Sequence, residues 1–180
     1  MSKAQQLAIG GIFSALSFIM VYMSNFMPLP YLWIYLSGLV IMAIVTEAGR
    51  KIAFCAYIVV VILCFMLLPN IARTMIFTLL IGYYPVIKVW LDNISHALIR
   101  RTIKLIVFLV AASIDVFVSI NLLGISFAVG QIEQWEILFA IAVARTAAFG
   151  IAYDFLLGNI HKYYIAELRP KFILRQQKNR

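Results

Sequence analysis

The chain has few charged residues, and acidic ones are rarest. Charged residues make up 12% of its 180 residues, whereas a soluble domain carries about 25%. With 64% hydrophobic residues and a mean hydropathy of +1.00, a soluble globular fold is excluded. The net charge of +8 does not indicate a nucleic-acid partner, because the basic residues lie at the edges of apolar stretches and not on one basic face. We expect attraction to anionic membrane lipid instead.

Residues that carry metal or nucleophilic chemistry are also scarce. There are two cysteines and two histidines. Cys55 and Cys64 are nine residues apart on one apolar stretch and are expected to act as small apolar side chains, while His96 and His161 each stand alone. Neither a phosphate-binding Walker loop nor a GxSxG elbow is present. We therefore expect no enzyme activity, no catalytic residue, no metal site and no cofactor bound by this chain.

Six apolar stretches follow one another, each about as long as a helix that crosses roughly 30 Å of hydrocarbon. They predict an all-α integral membrane protein, with a single six-helix transmembrane domain over residues 1–180. The predicted spans are 6–24, 31–46, 52–68, 74–89, 103–123 and 135–160, followed by a basic tail over 161–180. Pro85 is expected to kink the fourth span. The alternation of apolar and polar residues over 90–100 predicts an amphipathic helix at the membrane surface.

The basic residues are concentrated in every second connection. They occupy the turn after span two, the connection between spans four and five, and the tail: Arg50, Lys51, Lys88, Arg100, Arg101, Lys104, Arg169, Lys171, Arg175, Lys178 and Arg180. The other connections, 25–30, 69–73 and 124–133, hold only Arg73. Because cytoplasmic loops retain Lys and Arg, this pattern predicts a multi-pass protein of a cell membrane, of bacterial type, with both termini in the cytoplasm.

Two ionisable residues lie inside the predicted spans, where a charge costs about 2.5–3.5 kcal/mol on insertion scales. Asp115 on span five and Arg145 on span six lie at similar distances below the outer ends of their spans. At 1.5 Å per residue the two distances differ by about 3 Å. One interpretation is an ion pair that locks two antiparallel helices. The other is a ligand cavity that opens outward, and the two are compatible.

Further polar residues share these outer halves, among them Asn121 and Glu136. Arg73, the exception to the charge pattern, is either an interfacial side chain that snorkels or a group that recognises an anion at a pocket mouth. Asp154 lies near the inner end of span six, where it is either hydrated or paired with Lys88.

Span one carries a stripe of small side chains at spacings of four, three and four residues: Ala4, Ala8, Gly11 and Ala15. Such stripes let helix backbones approach closely in a membrane. Two interpretations stay open, since the stripe could pack against this chain's own helices or dock another subunit.

Together with the six spans, the topology and the length, residues 11–18 (GIFSALSF) resemble the first-span AxxxA segment of the substrate-binding S components of energy-coupling factor (ECF) transporters. Gly11 and Ala15 stand at the two small positions. The resemblance implies an S-component-like bundle that binds a small polar solute or vitamin-like molecule from outside. It also implies a transmembrane coupling subunit and two ATPase subunits as partners, with ATP used by those partners only.

On this resemblance the substrate-binding candidates are Arg73, Asp115, Asn121, Glu136 and Arg145, and the subunit-docking candidates are Ala8, Gly11 and Ala15. The identity of the substrate stays open. An alternative is a structural scaffold of the cell envelope, of the rod-shape-determining type, which needs no ligand. A weaker alternative is an autonomous secondary transporter, which calls for broken helices around a midplane site.

Overall fold

Every regular element that the structure describes is a helix. The structure, a computed structural model, describes residues 3–121 and 135–163. The helices in chain order are α1 Lys3–Met23, α2 Pro30–Glu47, α3 Arg50–Leu67, α4 Ile71–Ile76, a π-helical segment Phe77–Ile81, α5 Tyr84–Leu91, α6 Ala97–Asn121 and α7 Trp135–Tyr163. Residues 122–134 and the tail from 164, including the predicted end of span five, lie outside the described residues.

Six of the described stretches are long and apolar enough to cross a membrane. They are Lys3–Met23, Pro30–Glu47, Arg50–Leu67, Ile71–Leu91, Ala97–Ser119 and Phe139–His161. The prediction of six spans in a multi-pass membrane protein is therefore confirmed in length and composition. The large apolar side chains exposed along them, with Met66 76% exposed and Phe155 72% exposed, form the surface that lipid would cover.

Successive helices run in opposite directions, as the contacts near their ends show. Arg73 near the start of α4 donates to the Ser24 carbonyl just beyond α1. Lys104 near the start of α6 bonds Asp154 near the end of α7. We call the end of the bundle that holds the starts of α1, α3 and α6 the basic end, and the end that holds the turns 24–29 and 68–70 the opposite end.

Short turns with specific backbone requirements join the first helices. Gly49 between α2 and α3 has φ +91°, a conformation that side chains with a Cβ rarely adopt. Pro30 occupies the first turn of α2, where a missing N–H costs nothing. The side chain of Asn70 accepts a hydrogen bond from the Arg73 backbone N–H and so caps α4.

Small and hydroxyl-bearing residues let α1 approach α2 and α3. The buried face of α1 carries Gly10, Ser14, Ser17 and Val21. The Ser17 hydroxyl donates to the Ser37 carbonyl of α2 at 3.2 Å, and a Cβ at Gly10 would lie 2.7 Å from Ile52 Cγ2 of α3. Hydrogen bonds and close van der Waals packing of this kind hold helices together in lipid, where water exclusion does not.

Span four is interrupted, and more strongly than the predicted kink at Pro85. The chain leaves α4 through a π-helical segment in which the Gly82 N–H donates to the Phe77 carbonyl five residues back, at 2.7 Å. A bend at Gly82 and Tyr83 follows, and α5 begins at Tyr84 with Pro85 in its first turn. Pro85 thus starts a new helix segment instead of bending a continuous one.

The predicted amphipathic helix over 90–100 is wrong. Helix α5 ends at Leu91, residues 92–96 form a turn, and α6 begins at Ala97. The turn brings the Asp92 carboxylate to 2.6 Å from Lys104 Nζ on the following helix.

Candidate functional site

A cavity of about 340 Å³ lies between α2, the two parts of span four, α6 and α7. It is in the half of the bundle nearer the opposite end, since it takes residues from the starts of α2 and α4 and from the later part of α6. Its lining residues are Tyr31, Ile34, Tyr35, Ala72, Ile76, Leu80, Ile81, Asp115, Ser119, Arg145, Thr146, Phe149 and Gly150. A concave site of this volume with an apolar wall and a few polar groups is typical of a small-molecule site.

The polar residues of the cavity come in two pairs on neighbouring helices. Asp115 and Ser119 are four residues apart on one face of α6, and Arg145 and Thr146 follow each other on α7. Asp115 is 6% exposed, and its Oδ1 is a buried atom that receives no hydrogen bond from the described part of the chain. The Thr146 hydroxyl donates to the Ala142 carbonyl at 2.8 Å, which leaves its oxygen lone pairs for a further donor.

Aromatic rings of α2 and α7 form one wall of the cavity. Tyr31 stacks on Phe149 with ring centroids 5.9 Å apart and planes at 19°. Tyr35 donates from its hydroxyl to the Phe149 carbonyl at 3.3 Å and stacks on Tyr153 at 5.2 Å. Each of these contacts joins α2 to α7, so the wall is held from both sides.

The ring contacts of this wall continue from the cavity toward the basic end. The Tyr153 ring is fully packed and lies 5.9 Å from the Tyr84 ring, which in turn lies 4.5 Å from the Phe108 ring. A Cβ at Gly38 of α2 would lie 2.8 Å from Ile81 Cγ2, so only glycine lets α2 come this near the π-helical segment. Tyr35, Tyr153, Tyr84 and Phe108 therefore form a continuous series of ring contacts that leads from the cavity wall to the charged residues of the basic end.

The interrupted part of span four supplies the opposite wall. Ile76, Leu80 and Ile81 line the cavity from the end of α4 and the π-helical segment. A π-helical segment widens the helix and leaves backbone carbonyls for other donors. Here the Tyr57 hydroxyl of α3 donates a hydrogen bond to the Thr78 carbonyl at 3.0 Å. Such segments are frequent at functional sites.

The sequence left two interpretations of Asp115 and Arg145 open, and the structure places both side chains in the wall of one cavity. Within the described ranges, all ion pairs lie at the basic end, and none joins Asp115 to Arg145 within 4.0 Å. The two residues therefore share a site without locking the helices together as a salt bridge.

The other predicted substrate-binding residues do not line this cavity or are outside the description. The Arg73 guanidinium donates to the Ser24 carbonyl beyond the end of α1, where a cation also suits the helix dipole. Glu136 lies exposed in the first turn of α7. Asn121 ends α6, and its side chain lies outside the described residues. The similar depth along the spans that correctly predicted a shared site for Asp115 and Arg145 therefore did not predict the positions of these three residues.

The small stripe on α1 faces away from the other helices that the structure describes. Ala8, Gly11 and Ala15 are all exposed, and a Cβ added to Gly11 would meet nothing within 4 Å. The neighbouring face with Gly10, Ser14 and Ser17 makes the internal contacts instead. Of the two interpretations of the stripe, the structure does not support packing against the described helices of this chain.

A second polar cluster, which we call the charge network, lies at the basic end. Its members are Tyr84, Lys88, Asp92, Lys104 and Asp154. The Asp154 carboxylate bonds Lys88, accepts from the Tyr84 hydroxyl at 2.6 Å, and lies 3.2 Å from Lys104 Nζ. The side chain of Lys88 is only 4% exposed and also lies 3.6 Å from Asp92.

Of this charge network, the sequence suggested the pairing of Asp154 with Lys88 as one of two alternatives, and that pairing is confirmed. It missed Tyr84 and Lys104. The available signal was the spacing of Tyr84, Lys88 and Asp92, which puts three polar side chains on one helical face. In membrane interiors such ionisable groups pair with one another, as they do here.

The described residues contain no group of three or more His, Cys, Asp or Glu side chains that could hold a metal ion. Comparison of the chain with protein families, curated proteins and solved structures finds no match. Function must therefore be argued from the cavity, the α1 stripe and the interrupted span.

Proposed function

We propose that the chain is the substrate-binding membrane subunit of an ECF-type importer. In this role it captures a small polar solute or vitamin-like molecule from outside the cell and passes it to a transmembrane coupling subunit driven by two ATPases. The observation that carries the proposal is the cavity of about 340 Å³ with a buried carboxylate in its wall. A scaffold protein needs a filled bundle, and a cavity lined by Asp115 and Arg145 has a cost that such a role does not explain.

The aromatic contacts on the basic-end side of the cavity support binding more than passage. Tyr35 lines the cavity and stacks on the buried ring of Tyr153, so packed rings lie on the side of a bound solute that faces the basic end. A binding subunit of an importer needs this arrangement, since release must wait for a partner that does the transport work. In this proposal Asp115, Ser119, Arg145 and Thr146 contact the solute.

The exposed small stripe supports docking of another membrane subunit. A helix surface made of Ala8, Gly11 and Ala15 is flat enough for close backbone approach. In this proposal the coupling subunit packs a helix against it. Membrane lipid covers the stripe when the coupling subunit is absent.

The docking assignment is tested with two matched substitutions on α1. Gly11→Trp places a large side chain on the stripe, and Ile12→Trp places the same side chain on an adjacent exposed position, since Ile12 is 69% exposed. We expect Gly11→Trp to abolish co-purification with the coupling subunit and solute uptake, and Ile12→Trp to leave both within about twofold. Equal effects of the two substitutions would count against the docking face.

The binding assignment is tested on the purified chain alone. Mass spectrometry of the protein extracted in mild detergent is expected to find a small molecule that is retained through purification and lost on unfolding. The substitutions Ser119→Ala and Thr146→Val, which remove the two hydroxyl groups, are expected to lower its occupancy. A chain that never retains a solute, at any growth condition tested, contradicts the proposal.

A second candidate function is an autonomous secondary transporter. The observation in its favour is the interruption of span four between Phe77 and Tyr84, because discontinuous helices line the solute sites of such transporters. The two candidates differ in one measurement. If the chain is a secondary transporter, proteoliposomes that contain it alone accumulate the solute when an ion gradient is imposed. An ECF-type subunit accumulates the solute only with the coupling subunit, the ATPases and ATP.

A further inference from the structure

Asp115 is the one carboxylate in the described lining of the cavity, and its environment is incomplete. The residue is 6% exposed, its Oδ1 is buried, and no described group donates a hydrogen bond to that oxygen. A buried polar atom without a partner is costly, and such atoms in native structures are commonly satisfied by a ligand, water or an ion. The missing partner of Asp115 is a hydrogen-bond donor.

The groups around Asp115 favour a donor that carries positive charge. The aromatic wall presents the rings of Tyr31, Tyr35 and Phe149. The faces of aromatic rings attract cations, most strongly where water is excluded. A carboxylate and aromatic rings that line one cavity therefore favour an ammonium group over a neutral donor.

Asp115 needs a donor from the ligand because Arg145 does not pair with it. Arg145 lines the same cavity as Asp115, and no ion pair within 4.0 Å joins the two side chains. A ligand with an ammonium end supplies Asp115 with a donor, whereas a ligand that is only an anion leaves Asp115 without one. The size of the cavity, about 340 Å³, is at the small end of ligand sites.

We infer that the solute is a small primary amine with an apolar or aromatic body, and that its ammonium group docks against Asp115. This inference rests on the proposed function, because it names the chemical class of the solute that the cavity takes. The aromatic wall of Tyr31, Tyr35 and Phe149 holds the body, and Ser119, one turn from Asp115 on α6, borders the same end of the site.

The test compares four probes that share a phenyl ring and differ in charge. They are phenethylamine (a cation), phenylalanine (a zwitterion), 3-phenylpropanoate (an anion) and 2-phenylethanol (neutral). Ligand-observed NMR gives the Kd of each for the full chain in detergent. Because an ammonium group donates a charge-assisted hydrogen bond to Asp115, whereas the carboxylate of 3-phenylpropanoate supplies no donor and repels it, we expect phenethylamine and phenylalanine to bind about tenfold or more tightly than 3-phenylpropanoate.

Substitutions at Asp115 connect this preference to the proposed site. Asp115→Asn keeps the shape and removes the charge, so it is expected to abolish the preference for the amines, while Asp115→Glu retains it. Glu136→Gln is the matched control, because it makes the same change at an exposed carboxylate that does not line the cavity. Circular dichroism and elution volume establish that each variant folds.

Each outcome of this experiment decides the inference. Tighter binding of the anion, an unchanged preference in Asp115→Asn, or no binding by any amine probe overturns it. The proposed function survives those results if the chain still assembles with a coupling subunit and retains a solute that is not an amine. Conversely, amine binding that depends on Asp115 in a chain that never assembles with a coupling subunit upholds the inference and defeats the importer proposal.

Discussion

Replacing Asp154 with asparagine removes the carboxylate on which three donors of the charge network converge. Tyr84, Lys88 and Lys104 all bond it, and the side chain of Lys88 is only 4% exposed. Breaking a buried ion pair by removing one partner costs about 3–5 kcal/mol, because the other charge stays buried. We take the lower end, about 3 kcal/mol, because Lys88 keeps a second carboxylate, Asp92, at 3.6 Å.

Asp92→Asn is the matched control, since the side chain of Asp92 is 43% exposed and bonds the same two lysines. An exposed pair is worth about 1 kcal/mol or less, so this variant is expected to unfold near the wild-type midpoint. A double variant, Lys88→Met with Asp154→Leu, removes both charges. Its loss of stability is expected to be smaller than the sum of the losses in Lys88→Met and Asp154→Leu made singly, with a coupling energy of about 1–3 kcal/mol.

The assay is unfolding by SDS in mixed micelles, followed by tryptophan fluorescence. Trp90 on α5 is adjacent to the network in sequence and reports on its loosening. The reasoning fails if Asp154→Asn costs no more than Asp92→Asn. It also fails if the losses of the single variants at Lys88 and Asp154 add without coupling.

Further predictions concern helix contacts and topology. Gly38→Ala is expected to destabilise the chain by about 1–3 kcal/mol, because the added Cβ would overlap Tyr153. Gly11→Ala has open space around the added Cβ and is expected to be neutral or to stabilise the chain by up to about 1 kcal/mol. Unfolding by SDS measures both variants. Arg73→Met is expected to loosen α4 from the end of α1, because the Ser24 carbonyl loses its donor, and faster proteolysis of the 24–29 turn would register this. Reporter fusions are expected to place both termini in the cytoplasm, and an external signal from either terminus would refute that topology.

The spans could be predicted closely because the membrane makes one requirement of every helix. Any helix that crosses hydrocarbon must be long and apolar, and this requirement needs no knowledge of neighbours. The start of α6 is the clearest error in the spans, since the helix begins at Ala97 and not near residue 103. Arg100 and Arg101 look like loop residues in a hydropathy pattern, but their long side chains reach polar surroundings from within a helix.

The site could be predicted only in part, for a related physical reason. Depth along a span is encoded in sequence position, so Asp115 and Arg145 could be placed at one level, and they do line one cavity. Which face of a helix meets which neighbour depends on packing between distant segments. The contributions of Tyr31, Tyr35 and Phe149 were therefore not foreseen, and the sequence left open whether the small stripe faces outward or packs against the chain's own helices.

The π-helical segment at Phe77–Ile81 has a consequence for how the chain tolerates changes in length. Adding or removing one residue in a regular α-helix turns everything beyond it by about 100°, which in α2 or α3 would exchange buried for exposed faces. A single deletion within Phe77–Ile81 has another outcome open to it, because the wide turn can tighten to an ordinary one and leave Lys88 facing Asp154. The widest turn of the bundle is thus also the place where its fourth span can lose a residue at least cost.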